Sequence, residues 1–379
     1  MKLLIISHKE VWKDKDTYST SGGFPFQINA MTKMFTETRL VCALRRKSPK
    51  KNLLKITGNN LKITPLIEPW FTGWRRQMAI SVWAMINFKS MFRAINSSEV
   101  VHTMIPGDIG LIGTMIALLM KKPLFIRHCG TWGNRTTITD RFIYWLLPKI
   151  AKQKTVVMAT GGGKNNPEKS NKEIRWIFST SISKYEWNNL KLSKPWEKHN
   201  TLNIITVARL TYDKNIHSII RAIYKLKDKL KIHLNIIGDG SEHNELINLT
   251  KLLRLEKSIT FFGNSSHEEV LEHLSKNHLF IFPTNTKEGF PKALLEAMAC
   301  GLPCIATRVS VIPHLIENQC GLVLDKTDPN TISNAIIHMT SDLEKMLQMA
   351  NNSRVVSKIY TIENWKSLIE KRLVRAGIL

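Results

Sequence analysis

The segment 278–301 constrains the fold more than any other part of the chain. The apolar run 278–282 predicts a buried strand, and Pro283 ends it. After a polar loop, Pro291 opens a helix at the position where a missing backbone N–H is tolerated, and Gly301 ends that helix. A strand, a loop and a helix in this order are the repeating unit of a parallel α/β sheet.

The same alternation of strand and helix continues along the chain, and it starts again after residues 188–200. That stretch is polar, contains Pro195 and is typical of an interdomain linker. A chain of 379 residues is also longer than a single hydrophobic core usually organises. The sequence therefore predicts an α/β protein with two doubly wound, Rossmann-like parallel-sheet domains. We place them at residues 1–187 and 201–360, followed by a terminal helix at 361–379.

A loop with two adjacent glycines follows the first predicted strand, residues 1–7. The polar residues 8–21 lead to Gly22 and Gly23, and a helical pattern starts at Phe24. Because glycine lets backbone N–H groups approach a phosphate closely, this loop is a candidate phosphate-facing turn, with a plain turn as the alternative. A Gly-x-Gly-x-x-Gly sequence is missing at this turn, which argues against an ordinary dinucleotide-binding dehydrogenase.

Four charged residues lie near the ends of predicted strands in the second half of the chain. Glu288 lies in the loop before the helix and Glu296 in its first two turns, so a ligand at the helix N-terminus could meet both carboxylates and the backbone N–H donors between them. Arg209 directly follows a strand at 202–208, and Lys214 follows at the approach to the next helix. Two cations there can neutralise a leaving diphosphate. Taken singly, each of the four is also compatible with an ordinary surface charge.

In their order along the chain, these motifs resemble the family-4 glycosyltransferases of the GT-B fold. The matching residues are Arg209-x4-Lys214, Gly238-Asp239-Gly240, Glu288-Gly289-Phe290-Pro291, the Glu288-x7-Glu296 spacing and Gly301-Leu302-Pro303. The resemblance implies two domains that face each other across a cleft, with the terminal helix packed back on the first domain. It also implies sugar transfer from a nucleotide-diphosphate sugar, with retention at the anomeric carbon and without a cofactor or a required metal.

The resemblance assigns a role to each matching residue. Arg209 and Lys214 would hold the donor diphosphate, Glu288 and His128 would lie at the donor sugar, and Glu296 would hydrogen-bond the nucleotide ribose. Arg209, Lys214, Glu288 and His128 are the predicted catalytic residues. The other predicted donor-binding residues are Gly22, Gly23, Gly238, Gly289, Phe290 and Pro291.

Two departures from the family pattern lie in the second half of the chain. Asn215 stands where a glycine usually follows the lysine. Ser310, Val311 and His314 occupy a stretch that normally reads Gly-Gly and then Glu. The second of these loops, near the donor phosphates, is larger here, so we expect altered donor binding with the principal cations and carboxylates intact.

The positive charge of the chain is concentrated in its first half. Residues 1–200 contain 33 Lys+Arg and 12 Asp+Glu, a net charge of +21, whereas residues 201–379 contain 22 and 18, a net charge of +4. Such a surface predicts an anionic partner, which could be nucleic acid, an anionic membrane or an acidic soluble substrate. Zinc-finger spacing, ribonucleoprotein motifs and basic-zipper patterns are missing, so we do not expect nucleic acid, although charge alone permits a basic nucleic-acid-binding protein.

The segment 68–93 mixes tryptophan, phenylalanine and methionine with arginine and lysine. Aromatic anchors beside guanidinium groups are typical of a helix lying at a bilayer interface, and a helix whose aromatic face is core is the alternative. With the family resemblance, this segment predicts a hexosyltransferase acting on a lipid-linked glycan or a lipopolysaccharide- or capsule-type acceptor, with a soluble acceptor as the alternative.

Three features of the sequence predict a cytoplasmic protein, and the basic first half with the segment 68–93 predicts that it binds peripherally to the cytoplasmic face of the membrane. The apolar run 109–120 is shorter than the roughly 20 residues of a membrane span. The apolar run at the N-terminus is too short for a signal peptide. The five cysteines are scattered, which predicts buried free thiols rather than disulfides.

Overall fold

The computed structural model describes residues 1–46, 53–71, 73–152, 154–162, 167–286, 289–317 and 319–379, apart from the side chains of Gln77 and Ser170. The predicted catalytic residue Glu288 lies outside the described residues. The chain forms two compact units, Met1–Ser181 with Ile362–Leu379, and Ile182–Thr361. The second unit thus begins six residues before the stretch 188–200 that we interpreted as a linker.

The first unit alternates strands and helices. Its strands are β1 Lys2–Asp14, β2 Thr17–Thr20, β3 Glu37–Leu44, β4 Leu54–Lys55, β5 Leu61–Leu66, β6 Val100–Ile105, β7 Leu124–His128, β8 Thr155–Ala159 and β9 Ile174–Trp176. Its helices are α1 Phe24–Thr32, α2 Gly73–Asn96, α3 Asp108–Leu119, α4 Ile138–Ile150, α5 Pro167–Ser170 and, from the C-terminus, α14 Ile362–Arg375.

The sheet of the first unit is parallel around β1, which pairs with β3 on one side and β6 on the other. The parallel order is β5–β3–β1–β6–β7–β8–β9. The expectation of a polar loop at residues 8–21 is wrong. β1 continues to Asp14 and pairs in antiparallel fashion with β2, because Val11 and Trp12 are buried between the charged residues that suggested a loop.

Helices α2, α3 and α4 cover one face of this sheet. The connections from β5 to β6, from β6 to β7 and from β7 to β8 all run in the same direction across the sheet. Because such crossovers are right-handed, the helices that they contain lie on the same side of the sheet. Buried residues of all three helices belong to one core with Leu4, Ile6, Val101 and Ile126 of the sheet. Trp83 of α2, Ile116 of α3 and Ile143 of α4 are examples of these residues.

Helix α14 packs within the first unit, where it contacts α1. Trp365 of α14 is fully buried, and the guanidinium of Arg127 lies 5.0 Å from its ring centroid. Arg372 forms an ion pair with Glu173 at 2.5 Å. These contacts anchor the last helix of the chain to strands β7 and β9 and the residues beside them.

The second unit repeats the pattern. Its strands are β10 Leu202–Val207, β11 Ile232–Ile237, β12 Ile259–Gly263, β13 Leu279–Phe282, β14 Cys304–Thr307 and β15 Gly321–Leu324. Its helices are α6 Lys184–Asn189, α7 Ile216–Leu226, α8 His243–Leu252, α9 His267–Ser275, α10 Lys292–Ala299, α11 Ile312–Ile316, α12 Pro329–Thr340 and α13 Leu343–Ser357, with a 3-10 turn at Tyr212–Lys214. The strands are parallel in the order β12–β11–β10–β13–β14–β15.

The prediction for the helix after Pro291 is confirmed. Pro291 is its N-cap, and Leu294, Leu295 and Met298 are buried. Gly301 has a φ of +75° and donates to Met298, while Leu302 donates to the Ala297 carbonyl. These two bonds form a Schellman motif, which needs a left-handed residue and therefore favours glycine. The prediction of free thiols is also confirmed, since the five cysteines are unpaired and only Cys129 is not fully buried.

Candidate active site

The candidate site of the second unit lies where its strand order reverses. β10 is followed along the chain by β11 on one side of it, whereas β13 lies on its other side. In open α/β sheets, ligands bind at the carboxyl ends of the strands beside such a switch point. The loops after β10 and β13 carry Arg209, Lys214, Thr284 and the segment 289–291, so the sheet brings these residues to one of its edges.

The loop that carries Arg209 rests directly on the glycine turn after β11. Gly238 has a φ of +132°, and a Cβ atom built on it would lie 1.8 Å from the carbonyl oxygen of Ala208. A Cβ on Gly240 would lie 2.3 Å from the carbonyl oxygen of Leu210. The Leu210 N–H donates to the Asp239 carbonyl at 3.0 Å. Glycine is therefore required at both positions, because the backbones approach each other too closely for a side chain.

Lys214 is a buried cation at the switch point. Its side chain is 4% exposed, and its ammonium donates to the hydroxyl of Thr284 at 3.3 Å and lies 5.6 Å from the ring centroid of Phe282. The Asp213 carboxylate lies 4.0 Å away. A charge removed from water is unfavourable unless polar partners surround it, and Thr284 and Asp213 are such partners for this lysine. Arg209, in contrast, is exposed.

Asn215 accounts for one departure from the family pattern. Its φ is +53° and ψ is +34°, the left-handed conformation that glycine adopts easily and that asparagine tolerates better than other residues. Its amide donates to the Pro283 carbonyl at 2.8 Å. Asparagine thus keeps the turn after Lys214 and adds a bond to the loop after β13.

Ser310, in the second departure, also has a positive φ, of +52°. Its hydroxyl is buried, and no hydrogen-bond partner for it is found among the described residues. A glycine would adopt this backbone conformation easily, and serine adds a hydroxyl at the same position.

Gly289, Phe290 and Pro291 lead from the loop into α10. Phe290 is buried, with its ring centroid 5.7 Å from that of Tyr360, and Pro291 caps the helix with extended backbone angles. These contacts fix the direction of α10 and thereby the position of Glu296. The hydrogen bond between Lys214 and Thr284 joins the start of the loop after β13, five residues before Gly289, to the turn that carries Lys214.

Glu296 is 8% exposed and forms a contact that sequence reasoning missed. Its Oε1 lies 3.4 Å from Nδ1 of His267, at the start of α9. The other ring nitrogen of His267, Nε2, lies 3.3 Å from Oε1 of Glu186 on α6. Burial opposes the charge on His267, but the two carboxylates outweigh it and raise its pKa to about 10. Residues so far apart in sequence give no spacing signal from which this cluster could be found.

His128 ends β7 in the first unit and is held as a neutral imidazole. Its side chain is buried, and Nδ1 lies 3.2 Å from the carbonyl of Gly130, which identifies Nδ1 as the protonated nitrogen. Burial lowers its pKa to about 4. The Thr160 hydroxyl donates to the Gly130 carbonyl at 2.9 Å and the ring of Trp132 packs edge-on against His128. Nε2 is consequently an acceptor for a hydroxyl group.

The loop at Gly22 and Gly23 precedes α1 at the carboxyl edge of the first sheet. Gly22 has a φ of +74° and open space where a Cβ would lie, and Gly23 caps α1. Ser21 lines a cavity of about 580 Å³ together with His8 and Lys9 in the middle of β1 and Gly107 after β6. Because β3 and β6 flank β1, this cavity lies at the switch point of the first sheet.

A second cavity of the first unit, of about 700 Å³, adjoins the start of α2. Two carboxylates of its lining are paired with Arg45, whose Nε lies 3.2 Å from Glu10 and which also contacts Glu68. Arg76 lines it as well, and its Nε lies 2.7 Å from Asp108 of the neighbouring cavity. Trp70 and the exposed Phe71 also line it. Phe71 has a φ of +64°, which is rare for a bulky residue and typical of functional loops.

Comparison with known proteins identifies the second unit. Residues 190–356 match the family model "Glycosyl transferases group 1". The second unit is a glycosyl transferases group 1 domain. The match lies entirely within Ile182–Thr361, so the domain boundary and the compact unit agree.

Two curated proteins show the extent of the similarity to group 1 relatives. The chain is 28% identical over 190 residues to N-acetyl-alpha-D-glucosaminyl L-malate synthase of Bacillus anthracis, which covers 49% of each protein. It is 33% identical over 159 residues to the amylovoran biosynthesis glycosyltransferase AmsK of Erwinia amylovora, which covers 40% of this chain and 39% of AmsK. The chain thus matches about half or less of the length of these relatives.

The group 1 domain and the first unit together have the GT-B fold. The crystal structure of Anabaena Alr3699/HepE in complex with UDP and glucose superimposes with a TM-score of 0.72, at 15% sequence identity, over 99% of this chain and 100% of HepE. The predicted fold class is confirmed. The low identity shows the fold alone, and the assignment of roles to individual residues remains a prediction.

Proposed function

We propose that the protein is a retaining glycosyltransferase that transfers a sugar from a nucleotide-diphosphate sugar to a hydroxyl of a lipid-linked glycan or of a lipopolysaccharide- or capsule-type acceptor. The observation that carries this proposal is the buried ammonium of Lys214 at the switch point of a group 1 domain. The complex of the structural neighbour HepE with UDP and glucose supports a nucleotide-sugar donor.

The proposed reaction is a front-face displacement. The bond between C1 of the sugar and the diphosphate oxygen breaks, its electron pair stays on the diphosphate, and the acceptor hydroxyl bonds to C1 on the same face. The proton of that hydroxyl passes to the leaving diphosphate. Lys214 and Arg209 neutralise the charge that develops on the diphosphate, which stabilises the transition state more than the bound donor.

His128 and Glu288 orient the sugar in this proposal. Neutral His128 presents Nε2 as an acceptor to a donor hydroxyl, because Nδ1 donates to Gly130. Glu288 faces the same sugar, as the family resemblance implies. Glu296 accepts from the nucleotide ribose at the start of α10, and Gly238, Gly289, Phe290 and Pro291 shape the donor crevice around it.

The acceptor side of the proposal rests on the cavity beside α2. Ion pairs between Arg45 and Glu68 and between Arg76 and Asp108 offer hydrogen-bond donors and acceptors without a large net charge. Trp70 and Phe71 add apolar surface on which a sugar ring can stack. Neutral, hydroxyl-rich groups suit such a site, so we assign it to the glycan part of the acceptor.

The lipid part of the acceptor is inferred from the outer face of α2. Trp74, Met78 and Met85 are 71%, 73% and 69% exposed, while Trp83 and Met91 on the opposite side are core. At about 100° per residue, Trp74, Met78, Met85, Phe88 and Phe92 share one stripe. The core interpretation of this segment therefore holds for one side of the helix, and the exposed side is the one that we propose to face the bilayer.

Basic residues border the apolar stripe of α2. Arg75, Lys89 and Arg93 are exposed along one edge, and Arg75 lies 5.6 Å from the ring centroid of Trp74. On the same face of the sheet, α4 exposes Ile138 and Trp145, with Lys149 3.8 Å above the Trp145 ring. Apolar anchors with flanking cations bind anionic bilayers, so we propose peripheral attachment to the cytoplasmic face of the membrane. None of the described helices has the length and apolarity to span a bilayer.

Neither a metal nor a cofactor is needed for the proposed reaction. The Asp-x-Asp sequence of this chain, Asp14-Lys15-Asp16, lies in the turn between β1 and β2 of the first unit. Unchanged turnover after treatment with EDTA would support metal independence, and loss of turnover restored by Mg²⁺ would contradict it.

The decisive experiment measures sugar transfer from radiolabelled UDP-, GDP- and ADP-sugars to a membrane extract by the purified protein. Wild-type transfer together with its loss in Glu288→Ala and Lys214→Ala would support the proposal. Near-normal rates in both variants would exclude it. Transfer only to water-soluble products would favour the soluble-acceptor alternative, and salt-dependent DNA binding without turnover would favour a nucleic-acid-binding protein.

A further inference from the structure

Two carboxylates of the group 1 domain share one histidine. Nδ1 of His267 faces Glu296 at 3.4 Å and Nε2 faces Glu186 at 3.3 Å, so the ring bridges α10 and α6. The side chains of His267 and Glu296 are only 12% and 10% exposed, and that of Glu186 is 28% exposed. The cluster is therefore screened from water on the side of Glu296 and more open at Glu186.

The groups around His267 determine whether its ring carries a charge. It is the first residue of α9, where the helix dipole disfavours a cation. The carboxylates of Glu186 and Glu296 oppose that effect, and Glu268 and Glu269 follow in the first turn of α9. Cys300, at the end of α10, has a pKa of about 12 because of its burial and the nearby Glu296 carboxylate, so its thiol remains neutral. A doubly paired imidazolium is the state consistent with these surroundings.

A bridge of this kind restricts the carboxylate of Glu296. An ion pair through Oε1 restricts the rotation of the carboxylate. A carboxylate has about four acceptor positions, so it can bind hydroxyl groups while it is paired with His267. Orientation by an outer charged group is the usual way in which a ligand-binding side chain is held in place.

We propose that His267, itself held by Glu186, is a positioning residue that orients the Glu296 carboxylate toward the ribose hydroxyls of the donor nucleotide. This inference rests on the proposed function, because it takes Glu296 as a ribose-binding residue. It adds two residues to the donor site that lie outside the motifs of the sequence. It also predicts that they act on donor binding and leave the transfer step itself largely unchanged.

Two amide substitutions separate the two contacts of His267. His267→Asn places an amide N–H near the position of Nδ1, facing Glu296, whereas His267→Gln places one near the position of Nε2, facing Glu186. Both variants remove the charge and are similar in size. We expect binding of the nucleoside diphosphate to weaken about tenfold in His267→Gln and less in His267→Asn, because one charge-assisted bond corresponds to about a factor of ten.

Glu186→Gln tests the outer contact without changing the residues nearest the donor. Loss of this carboxylate lowers the pKa of His267 from about 10 toward its ordinary value of 6.5, so the imidazole loses its proton within the range pH 6–9. In the wild type, His267 keeps its proton between pH 6 and 9, so we do not expect this residue to make nucleotide binding depend on pH in that range. In Glu186→Gln, binding should match wild type at pH 6 and weaken several-fold by pH 9. A purely structural role of His267 would not produce this pH profile.

The measurement is calorimetric titration with UDP, GDP and ADP of the full-length wild type and the three variants at pH 6, 7.5 and 9. Thermal unfolding checks that each variant is folded, and the ¹⁵N shifts of the His267 ring report its charge directly. A rise in the KM for the donor with nearly constant kcat would add support. If all three variants bind the nucleotides as tightly as the wild type at each pH, this inference is wrong while the proposed function is unaffected. Failure of all three nucleotides to bind the wild type would overturn the proposed function and this inference with it.

Discussion

The ammonium of Lys214 donates to the hydroxyl of Thr284 across the switch point of the second sheet, at a distance of 3.3 Å. This bond joins the loop after β10 to the loop after β13, which are 70 residues apart in sequence. In the proposed donor site, the first loop carries the cations and the second leads to the segment that carries the carboxylates. Lys214 is thus both a structural link and a buried cation beside the carboxyl end of β13.

Substitution of Lys214 by methionine separates these two roles. Methionine has a similar length and needs no polar partner, so the free energy of unfolding should change little or increase, because a buried charge is removed. Turnover should nevertheless fall by about 10²–10³, the effect of removing one group that stabilises a developing charge. Steady-state kinetics and urea unfolding of the same preparation check both parts.

Arg221→Met on α7 is the matched control, because Arg221 is exposed on the helix that follows Lys214. We expect wild-type turnover for this variant. Equal loss of activity in the two variants would show that general positive charge, rather than the position of Lys214, supports the reaction.

Gly238→Ala should displace the loop that carries Arg209. Its new Cβ would lie 1.8 Å from the Ala208 carbonyl oxygen, and the backbone at φ +132° disfavours any side chain. We expect a loss of about 2 kcal/mol or more in the free energy of unfolding, together with weaker donor binding. Gly263→Ala is the control, because its φ is +68° but nothing lies within 4 Å of its Cβ, so only about 1 kcal/mol should be lost. Equal losses would mean that the close approach at Gly238 is unimportant.

Local signals in the sequence were sufficient to predict the limits of the helix beside the proposed donor site. Pro291 and Gly301 identified the limits of α10, since proline and glycine act through the backbone itself. The extension of β1 through residues 8–14 was missed, because its charged residues resemble a loop until β2 and β3 are available as partners. The contacts of His267 depend on the packing of α6, α9 and α10. No spacing rule connects Glu186 with Glu296, and such contacts become visible only in the folded domain.

The first unit should lose stability when the pH falls below 6.5. Burial lowers the pKa of His128 to about 4 and that of His102 to about 3, whereas both would titrate near 6.5 in the unfolded chain. Between these values the unfolded chain binds more protons than the folded protein, so the free energy of unfolding rises with pH in that window. We expect a loss on the order of 2 kcal/mol for each histidine on acidification from pH 7 to pH 4.

His102→Asn tests the contribution of one of these groups. Nδ1 of His102 lies 2.9 Å from the Phe125 carbonyl, and an asparagine amide can donate in its place without titrating. Urea unfolding at several pH values should show a smaller slope for this variant than for wild type. The exposed His199→Asn serves as the control and should leave the slope unchanged. If the slope of His102→Asn equals that of the wild type, His102 does not contribute to the pH dependence of stability.

Membrane binding should depend on the exposed stripe of α2. A variant with Trp74→Ala, Met78→Ser and Met85→Ser removes apolar area without touching the core residues Trp83 and Met91, so folding should be preserved while binding to phosphatidylglycerol vesicles falls at least tenfold. Wild-type binding should weaken with added salt, since each basic residue near the surface contributes about 1 kcal/mol at low ionic strength. Vesicle sedimentation measures both the effect of the substitutions and the effect of salt. The control is Leu252→Ser, because Leu252 is an apolar residue of α8 that is 78% exposed. If the wild type fails to sediment at low salt, the membrane part of the proposal is wrong and the soluble acceptor becomes the better interpretation.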